Sequence, residues 1–130
     1  MAYDGLLPGQ LGKLKKTLEG SGGRAAVFMH YPPAVIPHWE EGYWSASAPG
    51  FMKMLEDYGV RYFFSGHIHV YDRLRIGPTS YIVTGGGGDG YDSQIKPDEL
   101  NSPDGGGFPH FVYVAVTGDE ASDAVVRLEP

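Results

Sequence analysis

Glycine (20) and proline (10) together fill thirty of the 130 positions, so no helix or strand can run far before it is broken. Such a chain reads as short elements joined by long loops, with the chemistry carried by loops on a rigid sheet. The material for a core is present: 42% of residues are hydrophobic and 13% aromatic, while only 20% are charged, and the length is that of one domain, 1–130. With no cysteine there is no disulfide, no thiolate metal site and no cysteine nucleophile, so any metal must be held by His, carboxylate or amide groups. The net charge of −6 argues against nucleic acid as a main partner, since phosphate-backbone binding needs clustered Lys and Arg. Lys13, Lys15 and Lys16 form the one basic cluster and read as a solvated helix face. No apolar run approaches the roughly 18 to 20 residues that span a membrane. Nothing at the N-terminus has the order of an export signal, so no membrane partner and a cytoplasmic location are expected.

Leu7, Leu11, Leu14 and Leu18 recur at helical spacing and predict a helix from Pro8 to about Leu18, stopped by Gly20-Ser21-Gly22-Gly23. The apolar run 25–29 lacks alternation and predicts a strand buried on both faces, ended at His30 by Pro32 and Pro33. An irregular stretch, 34–48, carries His38, Trp39, Glu40, Glu41 and Trp44, the aromatics of a site rim. A second helix opens at Pro49, with Phe51, Met54, Leu55 and Tyr58 on one face and Gly59 closing it. Residues 60–65 predict a buried strand that runs straight into Gly66-His67-Ile68-His69, and 70–76 continue as extended chain. Residues 79–84 are a further strand ending in the glycine run 85–88. After a loop rich in Asp, Pro and Gly, the runs 111–116 and 124–128 flank Gly118-Asp119-Glu120 as a terminal antiparallel hairpin.

Three of the five histidines stand where strands are expected to end: His30, His67 and His69. In extended chain, residues two apart point the same way, so His67 and His69 project together while Ile68 packs opposite. A strand end has a rigid backbone and an open tip, and imidazole is the commonest protein ligand of divalent transition metals. One chemistry consistent with these residues is a single zinc on His30, His67 and His69 with an open fourth position, as in many zinc hydrolases. Another is a non-catalytic interaction module from a truncated or split gene, associating through an exposed sheet edge. Glu40 and Glu41 read as solvated loop charges, and His110, before a β run, as structural. The run 85–90 satisfies Gly-x-Gly-x-x-Gly, but residues 91–97 have no helical stripe to follow it, so a tight turn beside the histidines is the better reading than a dinucleotide site.

Phe28-Met29-His30-Tyr31-Pro32-Pro33, then Gly66-His67-Ile68-His69-Val70-Tyr71 with Arg73, then Tyr81-Ile82-Val83-Thr84 with Gly85 to Gly88 occur in one order and spacing. In these segments the sequence resembles the calcineurin-like metallophosphoesterases, especially the purple acid phosphatase branch. The resemblance covers residues 7–128 but only the C-terminal portion of that family's domain. It implies a mixed α/β chain, half of a four-layer αββα sandwich with a C-terminal β-hairpin. The implied activity is hydrolysis of a phosphate ester by metal-activated water, with Fe, Mn or Zn, dinuclear in the complete family site. His30 and His67 would ligate one metal and His69 the other. His38 would correspond to a second-sphere histidine that contacts phosphate or protonates the leaving group.

The family's earlier motifs, Asp-x-His, Gly-Asp-x-x-Asp and Gly-Asn-His-Asp/Glu, are read as absent from the chain. They carry the carboxylates that hold the first metal and bridge the pair, and two cations lying close together without a bridging Asp repel each other. The chain alone is therefore expected to be weakly active at best. A sandwich half cut along its core exposes an apolar surface, so a homo-oligomer, or pairing with a missing N-terminal half, is expected.

Overall fold

The computed structural model describes residues 8–33 and 48–129. In chain order these form α1 (Pro8–Glu19), β1 (Ala26–Phe28), α2 (Ala48–Asp57), β2 (Tyr62–Ser65), β3 (Tyr71–Ile76), β4 (Thr79–Thr84), a single 3-10 turn at Pro97–Glu99, β5 (His110–Thr117) and β6 (Glu120–Arg127). The first four strands make one sheet in the order β1-β2-β4-β3, parallel across β1, β2 and β4 and antiparallel at β3. β5 and β6 pair as an antiparallel hairpin, a separate two-stranded sheet. The chain is thus mixed α/β, with two helices and two sheets among the described residues.

Side-chain alternation separates the layers. Phe63 and Tyr81, with Val27 and Leu74, point to one face and pack against Leu18 of α1 and Phe51 and Leu55 of α2. Tyr62, Phe64, Tyr71 and Ile82 point to the other face and meet Val112, Val114, Ala121 and Val125 of the hairpin. All four residues of β2 are buried because it has a strand on each edge and a layer on each face. Polar contacts fasten the hairpin: Arg73 pairs with Asp123, and the Tyr62 hydroxyl donates to the same carboxylate at 3.0 Å. The hairpin turn starts at Gly118, whose φ of 60° is what a two-residue turn of the II′ type requires at its first position.

Three expectations change. β1 is not buried on both faces: it pairs only with β2, and Phe28 is 72% exposed. Phe28 and Val116, itself 71% exposed, flank an open apolar cleft of about 270 Å³ between β1 and β5. β6 begins at Glu120 rather than near 124, its first half hidden from a hydropathy reading because Asp123 faces inward toward Arg73. The strand before His67 stops at Ser65, as expected, but the chain beyond it is not extended through His69, since His67 has positive φ.

The long loop after β4 is anchored by one carboxylate. Asp72, 2% exposed, accepts hydrogen bonds from the Asn101 and Ser102 amides, both at 2.9 Å, and from the Asn101 side-chain amide at 2.7 Å. Asp72→Ala leaves these donors unpaired and is expected to cost about 2–4 kcal/mol in urea denaturation, since each orphaned buried donor costs roughly 1–3 kcal/mol.

His110 closes the same loop. Its Nδ1 donates to the Phe108 carbonyl at 2.8 Å, which leaves Nε2 to accept the Thr84 hydroxyl at 3.1 Å, and the Tyr71 ring packs edge-on. Burial lowers its pKa below the usual 6.5, although the Phe108 carbonyl opposes the shift. The unfolded chain therefore binds more protons just below pH 6.5, and the stability from neutral His110 is lost as pH falls from there toward the folded-state pKa. The urea midpoint of the native protein is expected to drop more between pH 7 and 5 than that of His110→Gln.

Candidate functional site

Because β1 and β2 are parallel, their C-terminal ends lie at the same end of the sheet, and His30 and His67 follow just beyond them. Met29 donates its amide to the Phe64 carbonyl and Gly66 donates to the His30 carbonyl, both at 3.0 Å, so the strand pairing continues to the histidines. The imidazoles meet: His30 Nε2 lies 3.3 Å from His67 Nδ1. The Tyr31 ring packs against both, its centroid 4.8 Å from that of His30 and 4.4 Å from that of His67.

The segment between β2 and β3 is a tight double turn. The Ile68 amide bonds to the Gly66 carbonyl and the Val70 amide to the Ile68 carbonyl, each at 2.8 Å and each spanning two residues. His67 has φ of 65°, a left-handed conformation that few non-glycine residues adopt, and among the described residues it is the sole non-glycine with positive φ. His67 and His69 therefore do not project together as in extended chain. Ile68 is nonetheless buried, as the alternation implied.

The glycine run takes its place here by close approach. A Cβ on Gly85 would stand 2.0 Å from the Ile68 carbonyl oxygen and 2.9 Å from the His69 Cα, so only glycine lets β4 end against the histidine turn. No α-helix follows the run among the described residues, only the 3-10 turn at Pro97–Glu99.

Burial, followed by the neighbouring His30 and His69, lowers the pKa of His67, while Asp92 opposes the shift. At neutral pH its imidazole is therefore in the uncharged form that ligates metals. Asp92 is the acid the sequence reading did not single out. Its Oδ2 accepts the His69 amide at 2.8 Å, and the Asp92 amide returns a bond to the His69 carbonyl at 3.2 Å. A signal was present: Gly88-Asp89-Gly90-Tyr91-Asp92 has the spacing Gly-Asp-x-x-Asp, but after the histidines rather than before them.

The structure thus joins His30 to His67 and fastens His69 to Asp92. Among the described residues no group of three or more His, Asp or Glu side chains stands ready to hold a metal ion. His38, Glu40 and Glu41 lie outside the described residues, and His110 belongs to the loop closure above. No family model matches the chain, and no curated protein matches it.

The donor geometry bears on metal binding. Two nitrogens each about 2.0–2.1 Å from one tetrahedral ion lie about 3.3 Å apart, and the His30–His67 separation of 3.3 Å has that value. Gly85→Ala is expected to push the 66–70 turn away and break this pairing while leaving the helix-side core intact. The histidine ring signals in an NMR spectrum, compared with those of the native protein, check it.

Proposed function

We propose that this chain contributes the histidine side of a metal-dependent phosphoric ester hydrolase of the metallophosphoesterase type. One observation supports the reading above the others: two imidazole nitrogens 3.3 Å apart at the carboxyl ends of adjacent parallel strands, where open α/β sheets commonly bind their ligands. His30 and His67 would hold one ion through Nε2 and Nδ1, and His69 would face a second. When bound, such ions supply Lewis acidity toward the phosphoryl oxygens and a water of lowered pKa. The chain's own work is to fix the donors. Tyr31 packs against both rings, the Gly66 amide ties the two strand ends together, and Asp92 holds the backbone of His69. By the same resemblance, His38, which lies outside the described residues, would contact phosphate or the leaving group.

The four-layer sandwich belongs to the same proposal. The open cleft at Phe28 and Val116, and the exposed Phe111 and Tyr113 on the outer side of the hairpin, are surfaces that further layers would cover, and such layers would bring the carboxylates. For the chain on its own, the occupant proposed is a second copy joined along β1. Sedimentation at micromolar concentration is expected to give a dimer that Phe28→Glu converts to monomer. A native protein that sediments as a monomer contradicts this part.

Metal binding is tested by titrating stripped protein with Zn²⁺. Loss of an outer-shell partner typically costs 10–100-fold in affinity, so loss of a ligand in His30→Ala or His67→Ala is expected to cost at least about 100-fold. Hydrolysis of an aryl phosphate should be slow, dependent on added Mn, Fe or Zn, and absent in His67→Ala. Missing the clamp of a second ion costs several kcal/mol, roughly tenfold in rate for each 1.4 kcal/mol. Activity unaffected by His67→Ala would overturn the assignment.

A further inference from the structure

The end of the sheet opposite the histidines carries a feature that the hydrolase reading does not use. Between the N-terminal ends of the parallel strands and the start of β6 lies a groove of about 650 Å³, within the range of small-ligand sites. Arg61 enters it from the residue before β2. Arg73 and Arg75 enter from alternate positions of β3, which place both side chains on the face turned toward the hairpin. Ser80 and Ser122 contribute hydroxyls. Asp123 is the one carboxylate in the lining, and it is already engaged by Arg73 and the Tyr62 hydroxyl. Arg75 makes only a long contact, 3.4 Å from Nε to the Gly77 carbonyl, and Arg61 has no side-chain partner among the described residues.

Arg61 also borders Asp119 and Glu120 in an adjoining groove, Asp119 being paired with Arg24; three guanidinium groups in a lining with one carboxylate, in a chain of net charge −6, still select for an anion. Guanidinium presents a planar fork of donors that matches oxyanions bidentately. Carboxylates and phosphoryl groups share that chemistry, but spread the charge differently. A phosphoryl group offers three oxygens around one centre to donors that converge from different strands, as these do from β2 and β3. We propose that the groove is a binding site for a small phosphorylated ligand of two or three negative charges, separate from the histidine site.

Metal-stripped protein titrated with inorganic pyrophosphate by calorimetry at low salt tests this. The native protein is expected to bind one equivalent, and Arg61→Gln and Arg75→Gln each to weaken binding about tenfold or more. Arg75→Lys, which keeps the charge without the fork, should fall between. Neither arginine carries a contact that holds the layers together, so the urea midpoints should stay near native. Lys16→Gln on α1 and His67→Ala should bind as the native protein does. Absence of binding at millimolar pyrophosphate, or equal weakening by Lys16→Gln, overturns the proposal. Loss of binding in His67→Ala also overturns it, by moving the anion to the histidines, whereas failure of the hydrolase reading leaves it untouched. Citrate bound as tightly as pyrophosphate overturns the phosphoryl assignment.

Discussion

The parallel pairing of β2 with both β1 and β4 is the constraint on which the rest of the structure depends. Parallel neighbours put like ends together, so the segment after β1 and the segment after β2 must emerge side by side, and those segments begin with His30 and Gly66-His67. The same pairing gathers the residues before the strands at the other end, where Arg61 stands. β2 can hold this position because Tyr62, Phe63, Phe64 and Ser65 are all buried. Phe63, with no exposed surface, packs into the helix-side core, and Tyr62 and Phe64 into the hairpin-side core. Truncating a buried phenylalanine generally costs about 3–5 kcal/mol, so the two ends of the sheet rest on a strongly stabilised centre.

Rigidity at the histidine end is built by a different means. The turn from Gly66 to Val70 holds His67 at positive φ, a cost that persists only where the surroundings over-determine the conformation. Gly85 closes on the turn from one side, and Asp92 bonds to the His69 amide from another. Asp72 and His110 fix the far part of the loop that carries Asp92. A backbone held this way presents its imidazoles without requiring them to be buried, which suits donors that must remain open to a ligand.

Much of this was legible in the sequence, for reasons particular residues make clear. The helix carrying Leu11, Leu14 and Leu18, the β run 79–84 and the turn at Gly118 each carry a period or a turn signal set by local chemistry, and they appear where expected, while Leu7 lies outside the described residues. The exposure of Phe28 was not legible, because an apolar side chain reads as buried whether or not a neighbouring layer covers it. Asp123 disguised the first half of β6, since its partner Arg73 is fifty positions away in the chain. His67 and His69 were read as extended chain just beyond a strand end. The departure from extended chain at His67 goes with the close approach of Gly85, a tertiary contact 18 positions away. Asp92 was overlooked although it ends a Gly-Asp-x-x-Asp run, because that run follows the histidines and its link to His69 spans 23 positions.

The central claim is that His30 and His67 form one half of a metal centre. Crystals grown with Zn²⁺ and measured at the zinc absorption edge test it most directly. The account predicts an anomalous-difference peak about 2.0–2.1 Å from both His30 Nε2 and His67 Nδ1. A well-ordered histidine pair with no such peak, or zinc bound elsewhere on the chain, would contradict it.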